Sequence, residues 1–274
     1  MAMQDTLRDK WIENSENKKQ IRHEDFIAGL GKGLALLDCF ANDRHRLNVT
    51  IAAEKTGLTR AAARRHLLTL EYLGYLEFDG HYYSLTPKVL KFSGAYLSGA
   101  QLPKIAQPLL NLLSQQTSLI YSVMVLDGFE AITIARSAAY QQTDRVNPYG
   151  LHLGHRLPAH ATSAGKILLS YLNQDAQQEW LDKYPLKSLT KYTYTENKEF
   201  LKLLNHIRAD EYCYSAEEHE LGVHALAVPI YNHRADVVAS LNIVSPTGRT
   251  SKEYLIQHIL PLLQQTAHEF RQFI

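Results

Sequence analysis

Between residues 55 and 70 the chain carries Lys55, Arg60, Arg64 and Arg65 and no acid, with Glu54 and Glu71 just outside. A guanidinium donates paired hydrogen bonds to phosphate oxygens and to the O6/N7 edge of guanine, so this cluster suits contact with duplex DNA. A second group lies further along. Arg136 sits in the apolar run AITIARSA, where a charge is tolerated only against a partner or a bound anion. An ion pair with Glu217 or Glu218 is one alternative and recognition of a carboxylate the other. Ser163, Ala164 and Gly165 follow an irregular stretch and open a helix, so their amides either attract an anion or belong to an ordinary capped helix. His160 and His224 offer ring nitrogens to a phenolic ligand, or are core histidines.

Other chemistries fit less well. Gly29-Leu30-Gly31-Lys32-Gly33 lacks the preceding strand and full spacing of a nucleotide loop. In HATSAGK, His160 stands where a phosphate loop needs Gly, and Ile167 where it needs Ser or Thr. None of the thirteen histidines shows a tight metal spacing. Ser163 lacks a G-x-S-x-G elbow. Cys39 and Cys213 each lie among apolar neighbours, as buried reduced thiols do. No metal and no cofactor is expected.

The elements that must hold these residues follow from periodicity. A helix is expected over 26–40, its firm part starting near Gly31 because three glycines weaken its first turns. Thr50 caps a short helix ended by Gly57, and Thr59 caps a second ended by Gly74. On that second helix Ala63, Leu67 and Leu70 share one face, while Arg60, Ala61, Arg64, Arg65 and Leu68 point away. Strands flanking Asp79-Gly80 form a wing hairpin. The order helix, turn, basic helix and wing is that of a winged helix-turn-helix.

Thr86-Pro87 opens a further helix to Ser98. Beyond it come a helix from Pro103, a hairpin across Asp127-Gly128 and an unpatterned stretch over 140–161. Helices at 163–172 and 175–181 follow, then one capped by Thr195. Three strands, YCYSAEE, VHALAVPIYN and DVVASLNIVS, precede a last helix opened by a Thr250/Glu253 capping box and kinked at Pro261. The expected fold class is α+β. Its parts are an N-terminal arm (1–23), a winged helix-turn-helix (24–86), a linker helix (87–102) and an antiparallel-sheet domain (103–274).

A net charge of +1 does not oppose DNA binding when the basic face is local. There is no apolar run long enough to span a membrane and no secretory leader, so a cytoplasmic protein is expected.

The segments GLTRAAARRHLLTLEYLGYL, LPAHATSAGKILLS and EEHELGVHALAVPIYNHRADVVASLNIVSP, in this order, resemble the IclR-type bacterial transcriptional regulators. FIAGLGKGLALLDCF and AYLSGAQLPKIAQPLL resemble a narrower group that regulates protocatechuate and 4-hydroxybenzoate catabolism, with most likeness to its protocatechuate-responsive activator. The resemblance implies a GAF-like ligand domain, no enzymatic activity, and dimers or tetramers on operator DNA. It places pocket positions at Val146, Tyr149, Leu157, Ser163, Ala164, Ser215, Val223, Ala225, Asn242 and Val244. Small, neutral Ser215 and Ala225 leave room for an aromatic ring.

The reading that results is a regulator that contacts double-stranded operator DNA through Thr50, Thr59, Arg60, Ala61, Arg64 and Arg65. Its effector is an aromatic carboxylate, held by Arg136 and the Ser163 and Ala164 amides. His160, His224, Tyr149 or Asn242 would bond the ring hydroxyls. Protocatechuate is the expected effector and 4-hydroxybenzoate the alternative. An enzyme using Ser163 with His160 or His224, and a constitutive architectural DNA binder, are readings of other classes.

Overall fold

The computed structural model describes residues 21–22, 24–40, 45–138 and 152–274. The expected N-terminal arm falls almost wholly outside them, as do Val146 and Tyr149. The chain divides into two compact units, Met1–Ala95 and Tyr96–Ile274.

In the first unit, helices α1 (Ala28–Leu37), α2 (Val49–Thr56) and α3 (Arg60–Tyr72) pack around Leu36, Ala52, Leu58, Ala63, Leu67 and Leu70. Helix α1 starts at Ala28 rather than near Gly31. Burial of Leu36 outweighs three glycine penalties of about 1 kcal/mol each, since helical stability in a protein comes mostly from packing. The cap of α2 is Asn48, whose Oδ1 accepts from the Ile51 amide at 2.9 Å, not Thr50, which lies in the first helical turn. Gly57 ends α2 at φ +67, a conformation glycine adopts without steric cost.

Strands β1 (Leu76–Phe78) and β2 (Tyr83–Leu85) form the wing hairpin, and Leu47 bridges to Tyr83 as a short third edge. The wing loop is an Asx turn: Asp79 Oδ1 accepts from the His81 and Tyr82 amides. Thr86 then donates to the Gly74 carbonyl and caps a 3₁₀ turn (Pro87–Val89) that runs into α4 (Leu90–Gly99).

The second unit is a three-layer sandwich. Its six-stranded antiparallel sheet has the order β5-β4-β3-β8-β7-β6, with β3 Tyr121–Asp127, β4 Glu130–Arg136, β5 Arg156–Pro158, β6 Cys213–Ala216, β7 Val223–Tyr231 and β8 Val237–Pro246. Strand alternation gives each face its own core. Tyr121, Val123, Leu226, Val228, Leu241 and Ile243 point to helices α5 (Gln101–Thr117) and α10 (Leu260–Phe270). Met124, Ala131, Cys213 and Ala227 point to α6 (Ser163–Ser170), α7 (Gln174–Lys183) and α8 (Asn197–Asp210).

Local details depart from the pattern expected. Strand β5 is three residues long, too short for alternation to reveal it. Helix α8 starts after Glu196 with no side-chain cap, so Thr195 does not cap it. Ser251, not Thr250, caps α9 (Lys252–Tyr254), accepting from the Tyr254 amide at 3.1 Å. Pro261 is accommodated by a wide π turn over Leu255–Ile259 just before it, which removes the hydrogen bond that its missing N–H could not make. Both cysteines are buried and free.

Candidate functional site

Helix α3 carries the basic face. Ala63, Leu67 and Leu70 are buried under it, while Arg60, Ala61, Arg64 and Arg65 are exposed. Thr59 caps the helix through a 3.2 Å bond from the Ala62 amide. Leu58 in the core and the left-handed Gly57 set the turn between α2 and α3. Three guanidiniums on a convex helix, with small Ala61 between them, fit a groove lined by phosphates. The wing loop is braced by Arg46, which pairs with Asp79 at 2.7 Å.

In the second unit, the expected site residues gather on the α6 side of the sheet. Residues paired across antiparallel strands share a face. Ser122 on β3 pairs with Arg136 on β4 and with Asn242 on β8. These three form a polar row across neighbouring strands. Asn242 pairs in turn with Ala227, Val244 with Ala225, and Ala225 with Ser215. Leu157 joins this face by pairing with Ala131. Val223, Ala225 and Ala227 alternate with Leu226 and Val228, so they also point toward α6.

Helix α6 packs on β3, β4, β6, β7 and β8. Its first amides have no intrahelical acceptor. The Gly165 amide is taken by the Thr162 cap at 3.2 Å, so the Ser163 and Ala164 amides are the ones left to a ligand. The Ser163 hydroxyl and the Asn242 side-chain oxygen are buried without a hydrogen-bond partner among the described residues. Native structures seldom leave buried polar atoms unmet, so each is a candidate to meet a polar ligand.

Beside Ser163, Lys166 is buried at 1% exposure and pairs with Glu218, which also accepts from Ser215 at 2.8 Å. Glu218 therefore belongs to Lys166 rather than forming the ion pair with Arg136 considered above. Glu217 accepts from the Gly222 amide at 2.8 Å. Lys166 is thus neutralised within the face by Glu218. Burial lowers the pKa of His155, with His152, His219 and Arg136 adding to the effect. Burial likewise lowers His160 and His219. All three are neutral hydrogen-bonding groups near neutral pH.

The two histidines expected at the ligand separate. His160 lies in the 3₁₀ turn before α6, and its Nε2 bonds the Lys187 carbonyl at 2.9 Å. A carbonyl only accepts, so Nε2 carries the proton and Nδ1 is an acceptor. His224 alternates to the opposite face, with Leu226 and Val228. There its Nδ1 meets the Tyr214 hydroxyl at 3.1 Å and its Nε2 the Thr250 hydroxyl at 2.7 Å. Both nitrogens are used, and the sheet separates them from Ser163. The Ser163 hydroxyl has no histidine partner, so the hydrolase arrangement is not formed.

Sequence reasoning left Ser122, His155, Lys166 and His219 out of the site. A polar residue in phase with Arg136 within SLIYSVMV pointed to Ser122. A lysine in the otherwise small and apolar SAGKILLS pointed to Lys166.

A winged helix-turn-helix with an exposed basic recognition face, joined in one chain to a curled antiparallel α+β unit, defines a DNA-binding transcriptional regulator rather than an enzyme. The chain belongs to the IclR family: residues 29–80 match the IclR helix-turn-helix domain, and residues 94–271 match the bacterial transcriptional regulator IclR C-terminal domain. It is 76% identical over 266 residues to the Pca operon regulatory protein of Acinetobacter baylyi, covering 97% of this chain and 96% of that protein. It is 54% identical to the p-hydroxybenzoate hydroxylase transcriptional activator of the same organism, covering 97% of this chain and 98% of that one. Among solved structures, a double mutant of the PobR inducer-binding domain from Acinetobacter, in complex with 3-hydroxybenzoic acid, is 54% identical. It matches with a TM-score of 0.62 over 64% of this chain and 100% of that one.

Proposed function

We propose that this regulator senses a hydroxylated aromatic acid, with protocatechuate its effector and 4-hydroxybenzoate the alternative, and activates genes of aromatic-acid catabolism. The observation that carries this is the Arg136–Ser122–Asn242 row on the α6 side of the sheet, half-buried at Arg136 and buried at Ser122 and Asn242, with small apolar Ala225, Val223 and Val244 on the same face. Arg136 and the Ser163 and Ala164 amides hold the carboxylate. His160 Nδ1 and the Asn242 side-chain oxygen are the acceptors proposed for ring hydroxyls. The names of the relatives support an aromatic acid and, for one of them, activation.

The DNA-bound form is a dimer or tetramer of this chain. The exposed apolar residues Leu90, Phe92 and Tyr96 of α4 are the proposed contact between copies. The ligand acts by binding one arrangement of the oligomer more tightly than another. Calorimetric titration with protocatechuate and 4-hydroxybenzoate tests the reading. Saturable binding, weakened about tenfold to a hundredfold in Arg136→Ala by loss of charge-assisted hydrogen bonds, is expected. No binding of either acid, or full affinity in Arg136→Ala, would overturn it.

A further inference from the structure

Glu218 is a buried acid with two unequal oxygens. Oε1 accepts from Lys166 and from Ser215 at 2.8 Å. Oε2 is buried and accepts no hydrogen bond among the described residues. The carboxylate is not free to turn away. Thr193 donates to the Glu218 carbonyl at 2.6 Å, and Thr190 to the Glu217 carbonyl at 2.6 Å, so the backbone is pinned on both sides. Lys166 supplies the opposite charge beside Oε1 and leaves Oε2 as the oxygen open to a donor.

His160 lies within electrostatic reach of both charges and offers only an acceptor, Nδ1. Glu218 Oε2 and His160 Nδ1 are thus acceptors, while the Arg136 guanidinium and the amides that open α6 are donors. A hydroxybenzoate has the complementary polarity: its carboxylate accepts and its ring hydroxyl donates.

We propose that Glu218 Oε2 is the acceptor for a ring hydroxyl of the bound acid, held in place by Lys166 and Ser215 as positioning residues, and that it selects hydroxylated over unsubstituted benzoates. This rests on the aromatic-acid reading above. A phenol meets the buried carboxylate oxygen, whereas a ring lacking the hydroxyl leaves that oxygen without a donor, the more costly outcome.

The test is calorimetry on the full chain with benzoate, 4-fluorobenzoate, 4-hydroxybenzoate and protocatechuate. Fluorine is close to hydroxyl in size but cannot donate. The wild type should bind the two hydroxylated acids about tenfold to a hundredfold more tightly than benzoate or 4-fluorobenzoate. Glu218→Gln should shrink that preference while still binding benzoate, because the amide oxygen turns to Lys166 and the N–H left where Oε2 was can only donate to the phenol oxygen. Since Glu218→Gln strands a buried lysine, the paired replacement Lys166→Met with Glu218→Leu serves as a second variant. It should fold and lose the preference. Equal binding of fluoro and hydroxy acids by the wild type, an undiminished preference in Glu218→Gln, or a preference that survives in the paired Lys166→Met and Glu218→Leu variant would overturn the assignment while leaving the aromatic-acid reading standing. Binding of none of the four would overturn both.

Discussion

Gly165 meets the backbone of Ala159 so closely that a Cβ on it would fall 2.3 Å from both the Ala159 Cα and its carbonyl oxygen. The 3₁₀ turn that carries His160 can cross the start of α6 only because residue 165 has no side chain. Gly165→Ala gains helix propensity yet must push backbone against backbone. The expected net effect is a loss of about 1–3 kcal/mol, read as a lower urea midpoint, together with weaker effector binding. A variant as stable as the wild type would contradict the close approach.

His224 holds Tyr214 and Thr250 together on the face away from α6. His224→Ala should cost about 1–3 kcal/mol of stability by leaving buried hydroxyls unmet. Its affinity for protocatechuate should match the wild type, because the sheet lies between. A selective loss of affinity at unchanged stability would return His224 to the ligand.

Acid should destabilise the second unit through its histidines. Burial holds His155, His160, His219 and His224 below their usual 6.5. Across the window between the folded and unfolded values, the unfolded chain binds more protons than the folded one. Their contribution is therefore complete above about pH 7 and is lost as pH falls from 6.5 through the folded values. A Tm series over this range should fall on acidification, and His155→Asn should flatten the slope. A Tm that rises on acidification would refute the sign.

Arg65 is exposed on α3 with no role in the core beneath it. Arg65→Ala should abolish gel retardation of the operator while leaving the melting curve and effector affinity intact. Wild-type binding should weaken steeply with salt, log K falling by about 0.9 per neutralised phosphate for each log unit. Operator affinity unaltered in Arg65→Ala would exclude this face from the contact.

The recognition helix was legible because three signals coincide there: the Thr59 cap, the buried Ala63-Leu67-Leu70 stripe and the arginines opposite. Caps at α2 and α9 were misplaced by one or two residues, at Thr50 and Thr250. Adjacent Asn48 and Ser251 offer the same chemistry, and only backbone geometry chooses between neighbours. The sensor face was half legible. Arg136 stood out as a charge in an apolar strand and Asn242 came from the resemblance, but their adjacency through Ser122 depends on the order β4-β3-β8, which joins segments about a hundred residues apart. His224 shows the reverse error. Its ring nitrogens suit a phenolic ligand, but a period of two along β7 sends them to the other side.

The central claim is that the face between α6 and the sheet holds an aromatic acid, its carboxylate toward Arg136. A crystal structure of the chain grown with protocatechuate tests this most directly. The account predicts the carboxylate within hydrogen-bond reach of Arg136 and the Ser163 or Ala164 amide, with the ring over Ala225 and Val244. Protocatechuate bound elsewhere, or lying with its hydroxyls on Arg136, would contradict it.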